Sequence, residues 1–153
     1  MDWKEAFSRL QESPLFAGHT KDCYLVHVFS MFGQAWQFGY YHPETDKVIV
    51  FTVADAVSVE PPQEAAKEGR TILQLHIENV TVSPDRALAI LEKRRQAEFP
   101  ADLPDKTILL LQRLDRPVWN ITLITLTFAI LNAKIDAETG EVLSLKKETL
   151  LRW

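Results

Sequence analysis

The stretch from Pro117 to Lys147 limits the fold more than any other part of the chain. Its first two-thirds, through Trp119, Ile121, Thr122, Ile124, Phe128 and Ile130, are dominated by β-branched and aromatic residues, which pack well on a pleated surface. Asp136-Ala137-Glu138-Thr139-Gly140 follows. It reads as a tight turn with glycine where φ goes positive. A short strand then sets Val142 and Ser144 on one face and Leu143 and Leu145 on the other. The expectation is two or three antiparallel strands ending in a hairpin.

Upstream, Ser83-Pro84-Asp85-Arg86 opens the clearest helix. Ser83 is the N-cap, Pro84 stands at the first helical position, and Ala87, Leu88, Leu91 and Arg95 continue one face until Phe99-Pro100. After a loop at Ala101–Asp105, Lys106–Leu114 reads as a strand, and Asp115-Arg116-Pro117 turns the chain. At the other end, Trp3, Ala6, Phe7 and Leu10 fall at helical spacing, with Asp2 as N-cap and Glu5 three residues on. That helix stops near Ser13-Pro14, and Leu15–Gly18 reads as a loop. Three strands follow: Cys23–Phe32, Ala35–Tyr41 with Trp36, Phe38 and Tyr40 on one face, and Lys47–Val53. His42–Asp46 forms the turn between the last two. Glu60–Gly69, with two prolines and four charges, reads as a linker containing a short helical turn. Thr71–Val80 reads as another strand.

Two segments therefore share one order, a helix and then antiparallel strands with a late tight turn. The turns also match in sequence, Glu44-Thr45-Asp46 against Glu138-Thr139-Gly140. Asp46 at the glycine place is tolerable, because Asp visits positive φ more readily than most residues. The fold class implied is α+β, a helix packed on an antiparallel sheet, in two tandem units: residues 1–60 as a degenerate copy and residues 70–153 as the full one.

Within 153 residues there is room for such an arrangement, and 46% hydrophobic content excludes a largely disordered chain. A net charge of −4 argues against broad attraction to nucleic acid or anionic membrane. The basic run Lys93-Arg94-Arg95 reads as a solvated helix face. A single cysteine, Cys23, excludes an intramolecular disulfide. The first residues lack the apolar core of a secretory signal, and Trp119–Ala133 is shorter than the ~20 residues a spanning helix needs. A soluble, cytoplasmic protein, monomer or homodimer, is expected.

The helix opening Val82–Ala89, the strand through Val118–Thr122 and above all Ile135-Asp136-Ala137-Glu138-Thr139-Gly140-Glu141-Val142-Leu143 resemble the PepSY domain, over residues 83–147. This resemblance implies a cystatin-like fold and a non-enzymatic role, commonly binding or restraining a peptidase. Modules of this kind usually act outside the cytoplasm, and the first half lacks the Asp-Ala and the glycine of the motif.

Chemistry elsewhere is sparse. Cys23 and His27, four apart on a strand, would face the same way, and with His19 or His42 could form a thiolate–imidazole pair or a small metal site. The simpler reading is a structural cysteine and histidine. Trp36, Phe38 and Tyr40 read as an inner face meeting Trp3 and Phe7, which leaves Tyr41 and His42 as candidate partner-binding residues. Asp136, Glu138 and Asp85 are carboxylates near turns, of which Asp136 is expected to bond its own turn's N–H groups. Gly33, Gly39, Gly69 and Gly140 are too dispersed to cradle a phosphate. No catalytic residue, cofactor or metal site is assigned. The leading expectation is a non-catalytic binding or regulatory protein whose partner, a peptidase or another protein, docks on a sheet edge or face. The alternatives are a small-molecule binder or small enzyme with a pocket between helix and sheet, or a structural subunit.

Overall fold

The computed structural model describes residues 1–65 and 71–150. The chain divides into two compact units, Met1–Leu75 and His76–Trp153. Among the described residues they hold three α-helices and nine strands, all pairing antiparallel within each unit.

Unit 1 opens with helix α1 (Trp3–Glu12), and Asp2 caps it by accepting the Lys4 N–H. Ser13 ends α1 and caps a second helix, α2 (Pro14–His19), by accepting the Leu15 N–H. The loop expected at Leu15–Gly18 is therefore helical. Serine followed by proline stops one helix and starts the next, since proline needs no N–H partner at a first helical position. Strands β1 (Tyr24–Met31), β2 (Trp36–His42) and β3 (Lys47–Val53) form the expected meander. Phe7 lies 5.6 Å from Phe38, and Phe16 lies 5.3 Å from Tyr40 and 6.1 Å from Phe51, centroid to centroid. Trp3, Ala6, Leu10, Phe38 and Phe51 are fully buried. This is an aromatic core under two short helices, as the pattern of Trp36, Phe38 and Tyr40 predicts.

Two expectations for the end of unit 1 are corrected. Part of the supposed linker lies against β3: just before it β4 (Val57–Val59) pairs with Phe51–Val53, and within it Glu60 N–H donates to Val50 O and β5 (Gln63–Glu64) pairs with Lys47 and Val48. Pro61 and Pro62 suit this place because the outermost strand of a sheet can dispense with N–H donors. Residues 66–70, with the expected Gly69 stop, lie outside the described residues, and no helical turn forms in residues 60–65. Thr71–Val80 forms no strand. Leu75 is buried and donates its N–H to Leu25 O, and Ile77–Asn79 is a 3-10 turn. Its apolar residues act as separate anchors rather than as one alternating face.

Unit 2 is built on α3 (Pro84–Glu98). Ser83 Oγ accepts the Arg86 N–H, a cap whose loss costs about 1 kcal/mol. The sheet order is β6 (Pro104–Arg113), β7 (Pro117–Thr125), β8 (Ala129–Asp136) and β9 (Val142–Thr149). In register, Leu111 faces Trp119 and Trp119 faces Ile135, while Leu109 faces Ile121 and Ile121 faces Ala133. All are fully buried, with Ala87 and Leu91 of α3. Trp119 Nε1 donates to Val82 O at 2.8 Å, which ties the sheet to the start of the helix. On the opposite face Asn132 Nδ2 donates to Asn120 Oδ1 (2.7 Å) and Thr122 Oγ1 (3.1 Å).

The solvated-face reading of Lys93-Arg94-Arg95 holds for the first two and is corrected for Arg95, which is buried. Its guanidinium bonds Glu92 at 2.6 and 2.9 Å and reaches Phe99 O at 3.2 Å, so it serves carbonyls left open at the helix C-terminus.

Candidate protein-docking surface

The sequence-nominated residues come first. A bulge between Leu25 and His27 flips the facing of β1, so Cys23 and His27 do not share a face. Cys23 precedes β1, and its Sγ lies 3.5 Å from Lys21 O and 3.9 Å from His19 O. Burial, and then the charge of Asp22, pushes its thiol up and away from the reactive thiolate. His27 lies opposite Gly39 in register, and a Cβ at Gly39 would stand 2.1 Å from the His27 ring. The imidazole fills the notch that glycine leaves. Burial lowers its pKa to about 4, so it is neutral at pH 7. His19 Nδ1 sits 2.7 Å from Leu15 O on its own helix. Among the described residues no group of three His, Cys, Asp or Glu side chains gathers as a metal-ligand set.

Tyr41, nominated as a surface contact, is only 6% exposed, and its hydroxyl donates to Asp46 Oδ1. That expectation of exposure is corrected: Tyr41 faces Tyr24 across the sheet, ring centroids 5.6 Å apart. His42 is half-buried and accepts the Thr45 N–H at Nδ1 (3.2 Å), so it shapes its own turn.

Asp136 plays the matching part in the other Glu-Thr turn. It accepts N–H bonds from Glu138 (2.8 Å) and Thr139 (3.1 Å), and its other oxygen accepts from Arg116 (2.9 Å). Burial raises its carboxyl, but the Glu138 N–H, Arg116 and the Thr139 N–H outweigh that and hold it below the usual carboxylate range. Glu138 and Asp85 are exposed. Both turns close with the same bond, Asp46 N–H to His42 O and Gly140 N–H to Asp136 O, with φ of 57° at Asp46 and 81° at Gly140. The likeness is local, however. One turn joins the second and third strands of its unit, the other the third and fourth. Tyr40, two residues before the first turn, faces the helices, whereas Lys134, two before the second, lies on the face away from α3.

The part of unit 2 that composition could not single out is the β7–β8 turn. Leu126 (60%) and Phe128 (59%) are exposed there, and Leu103 and Leu150 (51% each) join them. Backbone bonds hold the four together: Leu126 N–H donates to Leu103 O, and Leu150 N–H to Phe128 O. Phe128 has φ of 58°. The other positive-φ residues among those described, Asp22, Gly33, Asp46 and Gly140, are all aspartate or glycine, which tolerate the left-handed region. A bulky aromatic does not.

A polar base fixes this tip. Thr125 Oγ1 accepts the Ala129 N–H (3.0 Å), and Thr127 Oγ1 donates to Asp102 Oδ1. Lys147 Nζ donates to Asp102 Oδ2 (2.7 Å) and stands 5.7 Å from the Phe99 ring centre. Lys147 first, then Thr127, hold the Asp102 carboxyl below the usual range. The turn is thus anchored from below while it holds an aromatic in left-handed backbone and in water.

By its architecture each unit is a helical layer over an antiparallel sheet, and unit 2, with one long helix and a four-strand meander, is cystatin-like. Residues 81–146 match the PepSY family, described as "Peptidase propeptide and YPEB domain". A crystal structure of a "putative lipoprotein" from Clostridium difficile 630 has the same fold at 14% identity, with a TM-score of 0.65. The likeness covers 97% of this chain and 93% of that one. No match is found among the curated proteins.

Proposed function

We propose that the chain is a non-catalytic binding protein that docks a protein partner on the Leu103–Leu126–Phe128–Leu150 tip, and that the partner is a peptidase. The exposed Phe128 in left-handed backbone carries this reading, because among the described residues no packing within unit 2 accounts for keeping it there. The PepSY match supports the peptidase as partner class. The second half then supplies the contact, and the first is a degenerate relative of it. A cytoplasmic address belongs to the same proposal, and cell fractionation checks it.

Immobilised chain should retain peptidase activity from a lysate of its native host, read with an active-site-directed peptidase probe. The double variant Leu126→Ser/Phe128→Asn should lose most of it. Equal retention by both proteins would overturn the reading of the tip.

A further inference from the structure

Strand β9 ends the sheet of unit 2. Among the described residues it pairs with β8 alone, in seven register pairs from Ala129 opposite Thr149 to Ile135 opposite Val142. Leu150 N–H bonds Phe128 O, and this fixes the phase of the ladder. With Ile130 opposite Glu148, Asn132 opposite Lys146 and Lys134 opposite Ser144, those β9 residues exchange bonds with β8. Leu145, Lys147 and Thr149 then aim their N–H and C=O groups outward. Proteins usually shorten or cover such an edge. Unit 1 does both, with β4 of three residues, β5 of two and Pro61-Pro62 between them.

The side chains along β9 are specific. Ser144 Oγ is buried and has no hydrogen-bond partner among the described residues, which in a native structure asks for an explanation. Lys146 is exposed on the same face, and Lys134 lies diagonally across from it on β8. Glu148 shares that face nearer the tip. Lys147 on the other face is already neutralised by Asp102.

We infer that the β9 edge receives an extended segment of a protein partner by antiparallel strand addition, with a polar residue opposite Ser144, an apolar one opposite Leu145 and an acidic one opposite Lys146. The outward backbone groups supply affinity and the three side chains fix register and sign. A second copy of this chain fits less well, because pairing two β9 strands brings the Lys146 and Lys147 side chains of both copies to one seam. The edge adjoins the tip only at its Thr149–Leu150 end, while Ser144–Lys146 pair with β8 away from Leu126 and Phe128, so the two readings can fail independently.

The probe is the acetylated, amidated peptide Thr-Thr-Val-Glu-Val-Thr-Thr, titrated to millimolar concentration into the isotope-labelled full chain. Amide shifts and slowed hydrogen exchange should centre on Leu145, Lys147 and Thr149. The same peptide with Lys for Glu should bind roughly two- to five-fold more weakly. K146E should reverse that order, and Thr149→Pro should remove the response at its end while β8–β9 stays paired. Shifts mapping away from β9, no shifts at all, or a charge preference that K146E leaves unchanged would each overturn the inference. A variant with Leu126→Ser and Phe128→Asn should still bind the peptide, which separates failure of the edge from failure of the tip.

Discussion

The two units solve one architectural problem with different materials. Unit 1 covers its sheet with two short helices and fills the space with rings: Phe7, Phe16, Phe38, Tyr40 and Phe51. Unit 2 uses one fifteen-residue helix over aliphatic rows and a single tethered indole, Trp119. Unit 1 seals its outer edge with short strands and prolines. Among the described residues, unit 2 leaves a long edge open and exposes apolar side chains at the adjoining turn. An architecture held in common therefore fixes neither core composition nor contact surface. Unit 1 also exposes an aromatic at a turn, Phe32, but there the left-handed backbone falls on the neighbouring Gly33 rather than on the ring-bearing residue.

Acid should separate the halves most sharply. His27 is neutral in the fold with a pKa of about 4, against about 6.5 when unfolded. The unfolded chain binds more protons between those values, so stability falls as pH drops from 6.5 toward 4, by roughly 3 kcal/mol. Asp102 and Asp136 in unit 2 have depressed folded values. Their contribution is intact above the ordinary carboxylate pKa and is lost only as pH falls through the lower folded values. Hydrogen exchange at pH 7, 5 and 4 should thus show β1–β3 loosening first. His27→Phe should flatten that dependence, and uniform loosening of both units would show that His27 does not set it.

A smaller effect tests the notch beside His27. Gly39→Ala places a methyl where the imidazole lies, within 2.1 Å of it, and should destabilise by about 1–3 kcal/mol in urea titration. His27→Ala in the same chain should recover most of that loss. Additive losses would mean that Gly39 is needed for its backbone rather than for the space above it.

Much of this fold was legible in the sequence, and the reasons are local. Ser83-Pro84 and Asp2 are caps whose chemistry acts within one helical turn, and Lys47–Val53 and the Asp136–Gly140 turn read directly. What stayed hidden depends on partners far along the chain. Val57–Val59 is too short for its alternation to stand out, and the pairing of Gln63–Glu64 with β3 leaves none to find in a Pro-Pro segment. The β1 bulge, which parts Cys23 from His27, has no residue signature. Tyr41 read as a surface residue because it adjoins a turn, yet its partners are Tyr24 and Asp46. At the candidate tip, Leu126 and Phe128 lie within a run whose composition reads as β-rich throughout. Only a fixed register shows that this run breaks there and turns them outward.

Phe128 offers the finest test of the contrast, since unit 1 places a glycine, Gly33, at φ of 87° where unit 2 keeps an aromatic at φ of 58°. Left-handed backbone costs a non-glycine residue about 1–2 kcal/mol, and asparagine tolerates it best among the rest. Phe128→Asn should therefore stabilise the isolated protein, by about 0.5–1 kcal/mol, since the ring buries little surface to offset the strain. A rise in Tm of a few degrees would register it. The same change should weaken partner capture, which makes Phe128 a residue whose cost in the free protein is recovered only on contact. A loss of stability would instead show that the ring packs against its own turn, and the tip would then be no more a docking surface than the sealed edge of unit 1.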